Sequence, residues 1–328
     1  MTFDGGGSGW CVSEEDGWRI FAAFLDAGGN FVDTHTYGPT EDYLGAYLAG
    51  DRDRVVLATK YGGSLAPEDV NASGGHRKSL VRSVERSLRR LRTDYIDLLW
   101  LHAWDRLTPV EEVMRATDDL VRAGKVLYLG VANAPAWTVA EANTLAALRG
   151  WTPFTAIQVE YSLVERDADR ELTPMAHSLG LGIAAWTPLA SGWLTGKYRL
   201  DRETAPDGSA PRRLDDPVMS RFLPRTEHNI AIAEEVCKVA AEIGCTPAQV
   251  ALNWLRQRGA IPVFGATSPA QVVENAACFE VPLPDEHAER LAEVSKIKLG
   301  FPHDFLSSGL VRRLMYGTNG DRIDAAGR

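Results

Sequence analysis

Seven short apolar runs, each separated from the next by a stretch with helical periodicity, constrain this chain more than any other feature. They read NFVDT (30–34), RVVLATK (54–60), YIDLLWLH (95–102), VLYLGVAN (126–133), FTAIQVEYS (154–162), GIAAWTPL (182–189) and IPVFGA (261–266). Continuous apolar runs suit strands covered on both faces. Strands that alternate with helices pair in parallel through right-handed crossovers. The intervening helices have readable ends. Ser13 with Asp16 three residues on resembles a capping box, and Gly28 and Gly29 stop that helix. Thr108 reads as a cap before Pro109 and Glu111, with Gly124 as the stop, and Thr246 to Gly259 repeats the pattern. An eighth strand closes a (β/α)8 TIM barrel, and the only candidate for it is Met1 to Phe3, so an α/β barrel with a short or incomplete first strand is expected. No Pro/Ser-rich linker divides the chain, which reads as a single domain over 1–328. Its long loop at 190–224 is read as functional. The tail from about 296 is expected to dock through Phe301, Phe305, Leu310 and Met315.

Charge and composition exclude several classes. The 328 residues are 45% hydrophobic and 24% charged, an ordinary globular balance, and a net charge of −9 argues against a nucleic-acid partner. In the one basic run, VRSVERSLRRLR (81–92), Leu80, Val84, Leu88 and Leu91 recur at helical spacing, so the arginines are expected to form a solvated face. Cys11, Cys237, Cys245 and Cys278 share no metal-type spacing and suit reduced thiols. No apolar run approaches the roughly 18 residues of a membrane span. There is no charged-then-apolar leader, so a cytoplasmic protein without membrane contact is expected. Oligomeric state is left open.

In a (β/α)8 barrel, chemistry sits at the C-terminal ends of the strands. Those ends carry Asp33 with Tyr37 close behind, then Lys60, His102, Asn133, Gln158 and Trp186. A lone lysine or histidine at a strand end is usually an ordinary solvated or hydrogen-bonded group. An aspartate, a phenol, an ammonium and an imidazole on successive strands form a chemical set. Phenols ionise near pH 10 in water, and a neighbouring ammonium favours the ionised form. Asp33 can hold the ammonium in place, and the histidine can orient a carbonyl. Such a set is a general acid for a developing alkoxide, as carbonyl reduction by a nicotinamide hydride requires.

From its first residues to about 285, the chain resembles the aldo-keto reductase superfamily, closest to its bacterial and potassium-channel-β-subunit-like branch. The stretches that carry the resemblance are GGNFVDT..YG, VVLATKYGG, TDYIDLLWLH, GKVLYLGVAN, IQVEYSL, WTPLASGWLTGKY and GATSPAQVVENA. The resemblance implies that Asp33, Tyr37, Lys60 and His102 form the catalytic tetrad. It implies that Asn133 and Gln158 hold the nicotinamide carboxamide and that Trp186 lies against the ring. Leu189, Gly192, Thr195 and Lys197 would wrap the pyrophosphate, and Gly265, Thr267, Gln271 and Asn275 the adenosine end. The implied activity is NADP(H)-dependent reduction of an aldehyde or ketone, with NAD(H) as a possible cofactor. The small-molecule substrate could be a keto sugar or another secondary-metabolite carbonyl. Trp104, Trp193, Phe301 and Phe305 are candidates for its pocket walls.

The chain departs from the family pattern in three places. Three residues separate Asp33 from Tyr37, where the family usually has four. The family's N-terminal hairpin and full first strand find no counterpart ahead of MTFDGGG, where that strand is expected to finish. Thr267 stands where the family often has an arginine for the 2′-phosphate. These departures keep open a second reading, a nicotinamide-binding regulatory or catalytically impaired member. GGGSGW near the start lacks the spacing of a dinucleotide fingerprint.

Overall fold

The computed structural model describes residues 12–198 and 226–323. Seven strands form one parallel sheet in chain order: β1 (Phe31–Asp33), β2 (Val56–Tyr61), β3 (Ile96–Leu101), β4 (Val126–Ala132), β5 (Phe154–Glu160), β6 (Gly182–Trp186) and β7 (Ala260–Val263). Each neighbouring pair is parallel, so the sheet curls into a nearly closed barrel of the (β/α)8 type. Between and after the strands lie α1 (Glu14–Asp26), α2 (Thr40–Tyr47), α3 (Arg77–Leu91), α4 (Val110–Arg122), α5 (Ala136–Arg149), α6 (Leu172–Leu179), α7 (Glu227–Ile243), α8 (Pro247–Gln257), α9 (Pro269–Ala276), α10 (Asp285–Val294), α11 (His303–Leu306) and α12 (Gly309–Tyr316). The helical ring continues past the gap between β1 and β7. There Val12 and Ile20, ahead of and on α1, pack with Ala266 and Val272, before and on α9. The expected strand at Met1–Phe3 and most of the expected loop at 190–224 lie outside the described residues.

Period-two alternation sorts each strand into an outer and an inner face. Outward residues such as Leu99, Leu129, Val131, Ile157, Val159 and Ile183 join the large cluster under the helices. Inward residues Phe31, Ala58, Leu98, Trp100, Ala156, Ala184 and Val263 fill the lumen. Trp100 is fully buried there, and it fits because β4 offers Gly130: a Cβ at that position would overlap the six-membered ring of Trp100. The next inward positions toward the C-terminal mouth are Asp33, Lys60, Gln158 and Trp186. Phe31 beneath Asp33, and Ala58, Ala156 and Ala184 beneath the other three, leave this polar layer resting on an apolar plug.

Most local expectations hold. Ser13 caps α1 by accepting from Asp16 N, and Thr246 with Gln249 forms a full capping box on α8. Three differ. Thr108 does not cap α4; Asp105 instead accepts from the amides of Leu107 and Thr108 and from the Thr108 hydroxyl, and Pro109 occupies the cap position. A carboxylate is the stronger acceptor, and the Thr108 hydroxyl donates to it instead of capping the helix. The arginines of 81–92 are not all solvated: Arg90 keeps 12% of its side-chain exposure and turns toward the start of α2. In the tail, Phe301, Phe305, Leu310 and Met315 are exposed, and docking falls instead to the buried Val311 and to polar bonds. In one His303 meets Glu171 at 2.9 Å, and in the other Arg170 donates to Lys298 O at 3.2 Å.

Candidate active site

β1 delivers Asp33 and β2 delivers Lys60 to the same depth of the lumen. Lys60 Nζ lies 2.5 Å from Asp33 Oδ2, and the two side chains retain 7% and 10% of their exposure. The ammonium also donates to Thr34 O at 2.9 Å. The second carboxylate oxygen of Asp33 accepts from Gln158 Nε2 at 3.2 Å, a bond that crosses the lumen from β5 to β1. Asp33, Lys60 and Gln158 are therefore one hydrogen-bonded unit at the mouth.

Tyr37 follows β1 after three loop residues, and the short span still brings the phenol into the group. Its ring centroid is 5.7 Å from that of His102 and 5.3 Å from that of His35. The phenol is 43% exposed and lies against Gly63, just past β2. A Cβ at Gly63 would stand 2.7 Å from Tyr37 Cζ, so glycine there is what allows the phenol its place. His102 follows β3, with its amide donating to Tyr61 O at 2.9 Å. Burial, with the Lys60 ammonium beside it, lowers the His102 pKa to about 4, and the Asp33 charge opposes the shift without cancelling it. Burial, reinforced by the positive charges of Lys60 and Arg90, lowers His35 to about 3. Both imidazoles are neutral at neutral pH.

The chain leaves β4 through Asn133, whose φ of 50° is left-handed and turns its amide over the mouth. Asn133 Nδ2 donates to His102 O at 2.9 Å, and Asn133 Oδ1 accepts from Trp186 Nε1 at 3.0 Å. The indole of β6 is thus tied to the end of β4, across the end of β5. Beyond β6, Thr187, Ala190 and Ser191 have φ values of 56°, 48° and 55°, and Gly192 has 91°. A cluster of non-glycine residues in the left-handed region is a strained arrangement of the kind found at ligand sites. It gathers four expected contacts in one turn. Gly192 N donates to Leu189 O at 2.9 Å, Thr195 Oγ1 donates to Gly192 O at 2.7 Å, and Lys197 Nζ sits 2.7 Å from where a Gly192 Cβ would stand. An ammonium over a tight turn fits a diphosphate.

At the far end, Gly265 and Thr267 precede α9 and are exposed, and Gln271 Oε1 accepts from Thr267 N at 2.9 Å and lies 3.2 Å from Thr267 Oγ1. Asn275, one turn on, is buried, so the two amides of α9 have different surroundings. Of the expected pocket aromatics, Trp193 belongs to the core, its indole donating to Asn229 O at 3.0 Å, and Phe301 is 85% exposed. Trp104 packs against the core beside the mouth, its amide 3.4 Å from Asn133 O. Sequence reading missed Gly63, which seats the phenol, and Arg90, which grips the loop around it. It also missed Glu160, inward on β5 two residues past Gln158, whose pKa burial and Glu165 raise to about 7. No group of residues suited to a metal ion occurs among the described residues, and none of their helices is long and apolar enough to cross a membrane.

A parallel barrel whose lumen mouth combines an ion pair, a phenol and neutral imidazoles has the side chains that carbonyl reduction requires. The sequence profile of the Aldo/keto reductase family matches residues 1–296, and the chain belongs to that family. It is 37% identical to a norsolorinic acid reductase of Emericella nidulans over 307 residues, 90% of this chain and 76% of the relative. It is 32% identical to a probable aryl-alcohol dehydrogenase of Saccharomyces cerevisiae, with 90% and 92% covered. It is 34% identical to an aryl-alcohol dehydrogenase [NADP(+)] of Phanerodontia chrysosporium, with 91% and 80% covered. The family and these relatives establish an NAD(P)H-dependent enzyme of carbonyl reduction.

Proposed function

We propose that this protein reduces aryl aldehydes or ketones with NADPH, and that Tyr37 gives the proton taken up by the carbonyl oxygen. The observation that carries the reading is the buried Asp33–Lys60 pair beside the adjoining rings of Tyr37 and His102. Two imidazoles held neutral by burial are poor acids at neutral pH, and the phenol, whose ring adjoins that of His102, is the donor within this cluster. Lys60 stabilises negative charge developing on the phenol, Asp33 fixes Lys60, and neutral His102 orients the carbonyl oxygen by a hydrogen bond. A bound nicotinamide supplies the hydride.

Asn133 and Gln158 are assigned to the carboxamide and Trp186 to the face of the ring. Leu189, Gly192, Thr195 and Lys197 are assigned to the diphosphate, and Gly265, Thr267, Gln271 and Asn275 to the adenosine end. NADP(H), the cofactor in the name of the Phanerodontia relative, is preferred over NAD(H). The aryl substrate is favoured by the names of the aryl-alcohol dehydrogenase relatives. Tyr37→Phe tests the reading. Carbonyl reduction is expected to fall by about 10²-fold or more, with NADPH binding retained. Wild-type turnover in that variant would assign the proton to another group.

A further inference from the structure

The phenol of Tyr37 is nearly half exposed, so its position depends on the backbone that carries it. That backbone is held at Thr34, Thr36, Tyr37 and Gly38. Thr34 N donates to Ala58 O at 2.9 Å, and Thr34 O accepts from Lys60. Thr36 O accepts from Arg90 Nη1 at 3.0 Å, Tyr37 N donates to His35 Nδ1 at 3.1 Å, and Gly38 O accepts from Arg90 Nη2. One guanidinium thus holds the carbonyls on both sides of Tyr37, and one imidazole holds its amide. Arg90 is fixed in turn by Glu41 at 3.1 Å and Asp42 at 2.9 Å, and buried Glu41 accepts from Thr59 Oγ1 at 2.8 Å. α2 can come this close to α3 because Gly45 lies there, where a Cβ would overlap Arg90 O.

We propose that His35 and Arg90 are positioning residues that set the Tyr37 hydroxyl at the catalytic cluster, compensating for the three-residue span from Asp33. This rests on the reading of Tyr37 as proton donor. Nδ1 of His35 is the acceptor, which assigns the proton of the neutral ring to Nε2. Because the ring stays neutral across the working pH range, that lone pair is always available. Arg90 is suited to the task by its rigid fork, which a lysine cannot reproduce.

Asn and Gln at position 35 separate the two ring nitrogens, since the Asn amide oxygen stands near the place of Nδ1 and the Gln amide near that of Nε2. With NADPH and 4-nitrobenzaldehyde, His35→Leu is expected to lower kcat by on the order of tenfold to a hundredfold, the loss expected from an ångström-scale displacement of a reacting group. NADPH affinity, read by tryptophan fluorescence, should stay within about twofold. His35→Asn should recover most of kcat and His35→Gln should not, and Arg90→Lys, which keeps a charge on Glu41, should lower kcat while the protein still folds. In a Tyr37→Phe background, His35→Leu should cost nothing further. Wild-type kcat in His35→Leu, rescue by Gln instead of Asn, or additive losses in the double variant would each overturn the proposal. If the Leu variant does not fold, the Asn and Gln variants decide alone, and equal activity in the two overturns it. Wild-type turnover in Tyr37→Phe, by contrast, removes the underlying reading of the donor.

Discussion

Gly63→Ala isolates the position of the phenol from its chemistry. The added Cβ would stand 2.7 Å from Tyr37 Cζ, and nearer still to the hydroxyl oxygen. Carbon atoms in contact need about 3.5 Å or more, so the ring must retreat by roughly an ångström. Gly63 is not among the glycines with left-handed φ, so alanine brings no backbone strain. Tyr37 is exposed enough to swing outward, and the fold should lose under about 1 kcal/mol, as for a surface substitution. Turnover should fall far more. An ångström of misplacement costs on the order of a hundredfold, equivalent to about 2.7 kcal/mol in the barrier. The assay is kcat for reduction of an aromatic aldehyde by NADPH, with thermal unfolding and a fluorescence titration of NADPH on the same samples. A folded Gly63→Ala enzyme that binds NADPH and turns over at the wild-type rate would refute the claim that this glycine seats the proton donor.

Other perturbations read other parts of the site. Lys60→Met leaves Asp33 buried without its cation and should cost about 3 kcal/mol or more in denaturant unfolding, along with most of the activity; unchanged stability would show that the pair contributes little to the fold. Thr267→Arg should widen the ratio of NADH to NADPH dissociation constants, because a guanidinium suits phosphate oxygens better than a hydroxyl, and an unchanged ratio removes position 267 from the 2′-phosphate. The last prediction concerns pH. In the folded state His35 remains neutral down to about pH 3, whereas the unfolded chain protonates it below about 6.5, so stability is lost as pH falls through that window. Relative to His35→Asn, the wild type should lose stability more steeply between pH 6.5 and 4, by about 1.4 kcal/mol per pH unit. Parallel curves in urea melts would mean that His35 titrates normally.

The barrel was readable because its two periodicities do not mix: apolar runs two-sided enough for buried strands alternate with amphipathic stretches, and the hydroxyl and carboxamide caps fall where free amides need them. Asp33, Lys60, Gln158 and Trp186 follow from that reading alone, since strand-end residues of inward parity have nowhere to point but the mouth. What sequence could not supply was reach and competition. Helical spacing put Arg90 on a face that includes solvated arginines, yet its side chain is long enough to turn back to Thr36 and Gly38. Thr108 satisfied the rule for a cap, but its amide and hydroxyl both donate to Asp105, three residues earlier, and the hydroxyl does not cap α4. The role of Gly63 depends on a ring that arrives from another strand, so no local pattern announces it. Nor does composition distinguish aromatic tail residues that face solvent, such as Phe301, from those that line a pocket.

The bond from Gln158 to Asp33 has a consequence for anyone redesigning this enzyme. The residue assigned to the carboxamide and the residue that anchors the ammonium share a proton bridge across the lumen, so they are not separate modules. A substitution at Gln158 intended to retune the nicotinamide seat also loosens Asp33, and selection for one property drags the other with it. Thr267 and Gln271 bond to each other at the edge of the ring. On the proposed assignment of Thr267 and Gln271 to the adenosine end, cofactor choice can evolve there, on an independent part, while the reactive end stays under joint constraint.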